Sequence, residues 1–92
     1  MINYQRKNYK VAADWFLKAA NQRHQNAQFY LGKMYQQGLG VEKNYARAYF
    51  LYTLSADQGF NDSIKAKAKL AKLMTPKEMV DAKKLYQQYK PR

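Results

Sequence analysis

The apolar positions of this chain recur at helical spacing from one end to the other, and strand-type alternation is absent. Ala12, Trp15, Phe16, Ala19 and Ala20 alternate steps of three and one, which puts them on one face of a helix. Asn8 stands where a capping residue belongs, so a first helix is predicted from there to Asn21. A second set, Ala27, Tyr30, Leu31, Met34 and Tyr35, predicts a helix closed by Gly38, with Gly40 helping the chain to turn. Asn44 repeats the role of Asn8, and Ala48, Leu51, Tyr52, Ser55 and Ala56 predict a third helix ending before Gly59. Asp62 opens a fourth, built on Ala66, Leu70, Leu73 and Met74. Thr75-Pro76-Lys77-Glu78 is the strongest start signal: a Thr cap, proline at the first helical position, and glutamate three residues on to complete a capping box. The fifth helix carries Met79, Ala82, Tyr86 and Tyr89 on one side and ends at Pro91.

The pattern also repeats. Asn8-Tyr9 matches Asn44-Tyr45, Ala12 matches Ala48, Phe16 matches Tyr52, Ala20 matches Ala56 and Gln22 matches Gln58, each 36 residues on. A period of that length is typical of helical solenoids, whose helix pairs cannot bury their apolar faces alone and so stack on one another. Small residues at the stacking contacts let backbones approach, so Ala20 and Ala56 are expected at close helix contacts. The expected fold is all-α and a single domain over residues 1–92: a first repeat at 9–44, a second at 45–74 and a closing helix at 75–90.

Composition narrows the function. At 92 residues and 10.9 kDa there is room for one small core, and with no cysteine that core is held without disulfides. Seventeen Lys and Arg against six Asp and Glu give +11, enough to attract an acidic protein surface, phosphate or anionic lipid. Nine of those cations lie in residues 65–92, against Glu78 and Asp81 alone. The first residues, Met1 to Lys7, show no apolar stretch behind their charges, so no signal peptide is read and a cytoplasmic location is expected if the chain is complete. The longest uncharged run in the apolar region, Ala48 to Ala56, is too short for a membrane span, which needs ~20 residues.

Catalysis finds little support. The one histidine, His24, sits in a turn with no partner residues marked out for base chemistry, and the six acids are scattered, so neither a catalytic group nor a metal site is expected. No cofactor is expected either: Gly32, Gly38, Gly40 and Gly59 lack the strand and the Lys-Ser/Thr of a phosphate loop. Basic residues interleaved with aromatics can bind single-stranded nucleic acid. Tyr9, Trp15, Phe16, Tyr30, Tyr35, Tyr45 and Tyr52, however, fall at repeat positions that pack helices. Lys65, Lys69 and Lys72 share one face, while Lys67 points elsewhere. Those three form the alternative basic patch, suited to nucleic acid or an anionic surface.

The run Ala12, Trp15, Phe16, Ala19, Ala20, Ala27, Leu31-Gly32, Tyr35, Gly38, Gly40-Val41 and Ala48 resembles the Sel1-like repeats, relatives of the tetratricopeptide repeats. The second repeat keeps Ala48, Leu51, Tyr52, Ala56 and Gly59, then departs at Ser63 and Lys67-Ala68, and Arg23 stands where the family usually has glycine. Residues 70–85 look like the terminal helix that closes many bacterial arrays. The resemblance implies a short right-handed α/α solenoid and non-enzymatic recognition of another protein, in the manner of bacterial adaptors or immunity-type proteins.

Candidate binding residues are those the repeat does not need for packing. On the first helix of each pair they are Val11, Asp14, Lys18 and Gln22, matched by Arg47, Phe50, Leu54 and Gln58. First helices line the concave side of a solenoid, so Phe50 and Leu54 put apolar area on that side. Either they mark a partner contact, or the closing helix or a second copy covers them. Met1, Ile2 and Tyr4 are further candidates for self-association at the uncovered outer face of the first helix.

Overall fold

The computed structural model describes residues 8–89, and among these the regular structure is helical throughout. In chain order the helices are α1 (Tyr9–Asn21), α2 (Gln25–Gln37), α3 (Tyr45–Asp57), α4 (Asn61–Ala71) and α5 (Pro76–Tyr89). α2 packs between α1 and α3, while α4 and α5 both pack against α3. The result is an all-α helical-repeat solenoid with α5 folded back onto its third helix. Met1, Ile2 and Tyr4 lie outside the described residues.

Local signals account for several helix ends. Asn44 Oδ1 accepts the Arg47 backbone N–H at 2.9 Å, an N-cap bond. The capping box forms reciprocally: Glu78 N–H donates to Thr75 Oγ1 at 3.1 Å, and Thr75 N–H donates to Glu78 Oε1 at 2.8 Å. Asp62 does not open α4. That helix starts one residue earlier behind Phe60, and Asp62 lies in its first turn, where its charge suits the helix dipole. Gly38 ends α2 at φ 73°. Gly40 also sits at positive φ, and a Cβ there would collide with the Tyr9 carbonyl. Arg23 takes the left-handed conformation (φ 68°) that Gly59 takes 36 residues on (φ 88°), so the turn keeps its geometry despite the side chain.

Helix α2 buries two faces, where periodicity suggested one. Ala27, Leu31 and Met34 join Ala12, Ala13, Ala20, Leu51 and Leu54 in one cluster. Phe29, on its other side, joins Ala48, Tyr52 and Leu70 in a second. Between α2 and α3 the contact is tight at Gly32, where an added Cβ would come within 2.8 Å of the Tyr52 ring. Tyr52 is 1% exposed, and its hydroxyl donates to Gln36 Oε1 at 2.7 Å. Burial pushes the Tyr52 hydroxyl up from 10 to about 12.

Polar groups cross the same seam. Ser55 is fully buried and donates to the Gln25 carbonyl at 2.9 Å, and Ser63 donates to Ser55 Oγ at 2.6 Å. Gln58 Nε2 donates to Gln28 Oε1 at 2.8 Å, and Gln28 Nε2 reaches the Ala20 carbonyl at 3.4 Å. Ala20 is buried as expected, but Ala56 is only half-buried, because its neighbour Ser55 is the small residue at the α2–α3 contact.

Two outcomes are expected. Arg23→Gly removes the steric cost of a left-handed non-glycine residue, roughly 1–2 kcal/mol, against a smaller entropy loss, so calorimetry should record a melting temperature a few degrees higher. Tyr52 holds its proton more tightly folded than unfolded, so its contribution is intact below pH 10 and is lost as pH rises toward about 12. The stability gap between wild type and Tyr52→Phe should accordingly narrow over that interval in denaturant titrations.

Candidate protein-binding face

The candidate residues divide into three groups by position. Val11, Asp14 and Lys18 share a shallow pocket on α1 of about 350 Å³, with Trp15 as its fourth wall. Gln22 is exposed just past the end of α1. Arg47 is exposed too, but its guanidinium lies 5.9 Å from the Tyr35 ring centroid, in cation–π range.

Phe50 and Leu54 do not form an open apolar patch. Leu54 is 9% exposed, and the half-buried Phe50 meets the Tyr89 ring edge to face with centroids 5.5 Å apart. Helix α5 covers both. Its Tyr86 hydroxyl donates to Asp57 Oδ2 at 2.6 Å, a bond that, with lesser help from burial and the Asp57 charge, raises the Tyr86 pKa. The closing helix thus packs over the α3 face that carries them.

The exposed apolar surface lies instead at the α1 edge of the molecule. Trp15, expected among the packing residues, is 67% exposed, and Val11 is 59% exposed. The position 36 residues after Trp15 is Leu51, which is buried against the preceding helix pair. Trp15 has no described helix pair before it, so the same position faces outward. Tyr30 is exposed as well and stacks on Phe16, centroids 5.7 Å apart. Beside Trp15 a second groove, of about 480 Å³, runs between α1 and α2 over Phe16, Ala19, His24, Ala27 and Tyr30.

The opposite edge is charged. Lys65, Lys69 and Lys72 are exposed on α4, while Lys67 turns to the Tyr49 ring, 5.5 Å from its centroid. Lys33 and Lys43 lie similarly over Phe29 and Tyr45, at 5.3 and 5.1 Å. These ring faces therefore serve packing within the protein. Among the described residues no group of three or more His, Asp or Glu side chains is placed to hold a metal, and no helix is long and apolar enough to cross a membrane.

A family model described as Sel1 repeat matches residues 3–24 and 25–60. Comparison with curated proteins gave no match. Among solved structures the chain is similar to a protective antigen present in uropathogenic Escherichia coli strains displaying an SLR fold, at 36% identity and a TM-score of 0.84. The similarity covers 90% of this chain and 18% of the antigen, so the chain spans under a fifth of that protein's length.

If α5 is held chiefly by its aromatic contact with α3, Phe50→Ala should loosen it. The pair is worth about 0.5–1.5 kcal/mol beyond burial, so amide exchange across residues 76–89 should quicken up to roughly tenfold while α2 stays protected.

Proposed function

The chain belongs to the Sel1 repeat family, and from that membership we propose that it is an adaptor-type module gripping a partner protein with the outer face of α1. Repeats of this family are generally non-catalytic protein–protein interaction scaffolds. The observation that carries the proposal is the exposure of Trp15 beside Val11, Asp14 and Lys18: a large aromatic flanked by an aliphatic residue and both charge signs. Trp is the side chain most enriched at interface hot spots, and a contiguous exposed apolar patch usually marks a contact. Because α5 packs over Phe50 and Leu54, this reading shifts the binding face from the concave surface expected at α3 to the α1 end of the stack. The net charge of +11 favours a partner with an acidic surface, chiefly by speeding encounter.

A different reading places binding on Lys65, Lys69 and Lys72, with phosphate as ligand. One experiment separates the two: capture of partners from source-cell extract on wild type, on Val11→Asp/Trp15→Asp and on Lys65→Glu/Lys69→Glu/Lys72→Glu. The α1 variant should lose the captured protein by tenfold or more, while the lysine variant keeps it with altered salt dependence. Loss confined to the lysine variant would overturn the proposal.

A further inference from the structure

The repeat makes it possible to ask what fits the groove beside Trp15, because the same surface occurs twice in this chain and one copy is filled. Phe16, Ala19, His24 and Ala27 of the open groove correspond, 36 residues on, to Tyr52, Ser55, Phe60 and Ser63. That second surface is covered by α2. Phe29 of α2 sits 5.8 Å from the Tyr52 ring and 5.3 Å edge to face from Phe60. Gly32 brings the α2 backbone down onto Tyr52, Gln36 accepts the Tyr52 hydroxyl bond, and the Gln25 carbonyl accepts from Ser55. We propose that the open groove is a docking site for a single helix of a partner protein, one presenting an aromatic ring and a glycine one turn later; Phe16 and Ala19 stand where Tyr52 and Ser55 carry hydroxyls, so the open copy is recognised by shape and ring contact without the two hydrogen bonds of the filled one. This deepens the reading of α1 as the binding face and rests on it.

Another occupant fits less well. A second copy has no helix face to spare of this kind. Its α2 already faces α3, and on its α4 the positions matching Phe29, Gly32 and Gln36 are Lys65, Ala68 and Lys72. Lys65 cannot supply the ring-to-ring contacts that Phe29 makes with Tyr52 and Phe60, and Ala68 puts a methyl group where Gly32 lets the backbones approach. Tyr30, standing at the position of Ala66 and stacked on Phe16, supplies one wall and extends the aromatic surface offered to an incoming ring.

The probe is a fluorescein-labelled peptide of residues 25–37, cross-linked between positions 26 and 30, both exposed on α2, so that it enters binding already helical. Anisotropy should show saturable binding at micromolar protein. Unlabelled peptide should shift the emission of Trp15, the one tryptophan, to shorter wavelength. Gly32→Leu in the peptide, or Trp15→Glu in the protein, should each weaken binding at least tenfold, and Lys69→Glu in the protein should leave it unchanged. Absence of saturation up to millimolar protein, or equal binding of the Gly32→Leu peptide, would overturn the proposal. A concentration-dependent dimer that Trp15→Glu dissociates, without peptide binding, would assign the groove to a second copy and also overturn it. If the peptide fails while Val11→Asp/Trp15→Asp still loses the cellular partner, the helix inference falls and the α1 binding face stands; if both fail, both fall.

Discussion

The close approach of α2 to α3 at Gly32 is the constraint on which the rest of the fold depends. Tyr52 occupies the space that a side chain at Gly32 would need, and Ala48 leaves its own carbonyl 3.3 Å from the same point. At that separation Ser55 reaches the Gln25 carbonyl at 2.9 Å and Gln58 reaches Gln28 at 2.8 Å, both good hydrogen-bond distances. The contact also sends Phe29 across the seam into the cluster with Leu70, so α4 is seated by a residue of α2. In α4 the position matching Gly32 is Ala68, which is exposed; where no further helix packs, no glycine is required.

That difference gives the molecule two unlike edges. The α4 edge carries the exposed Lys65, Lys69 and Lys72 and is polar and positively charged. The α1 edge offers Trp15, Val11 and Tyr30. Between them α5 covers α3 by setting Tyr89 on Phe50 and Tyr86 on Asp57. The exposed apolar surface thus lies at one end of the stack, and the net positive charge opposes indiscriminate self-packing.

Signals within a few residues of one another were legible in the sequence: the Asn44 cap, the Thr75–Glu78 box, the Gly38 stop and the 36-residue repeat. What joins distant segments was not. Periodicity identifies the apolar face of a helix without saying what covers it, so Trp15 and Phe16 read alike although only Phe16 is half-buried. Phe50 and Leu54 look like open surface until Tyr86 and Tyr89, more than thirty residues later, are known to fold back on them. Phe29 and Gln28 lie off the single stripe assigned to α2, because that stripe model allows one neighbour and α2 has two. Ser55 reads as a generic small residue; its role depends on a carbonyl thirty residues earlier. The glycine expected at position 23 proved dispensable, since Arg23 adopts the required φ.

The α1 edge stands open while α5 covers α3, and the single tryptophan reports on that edge directly. Acrylamide quenching of Trp15 emission in the folded protein, at concentrations where sedimentation gives a monomer, is predicted to approach the quenching seen in the denatured chain, with emission at a solvent-exposed wavelength. A blue-shifted emission resistant to quenching would show that the edge is already covered, and would contradict the account.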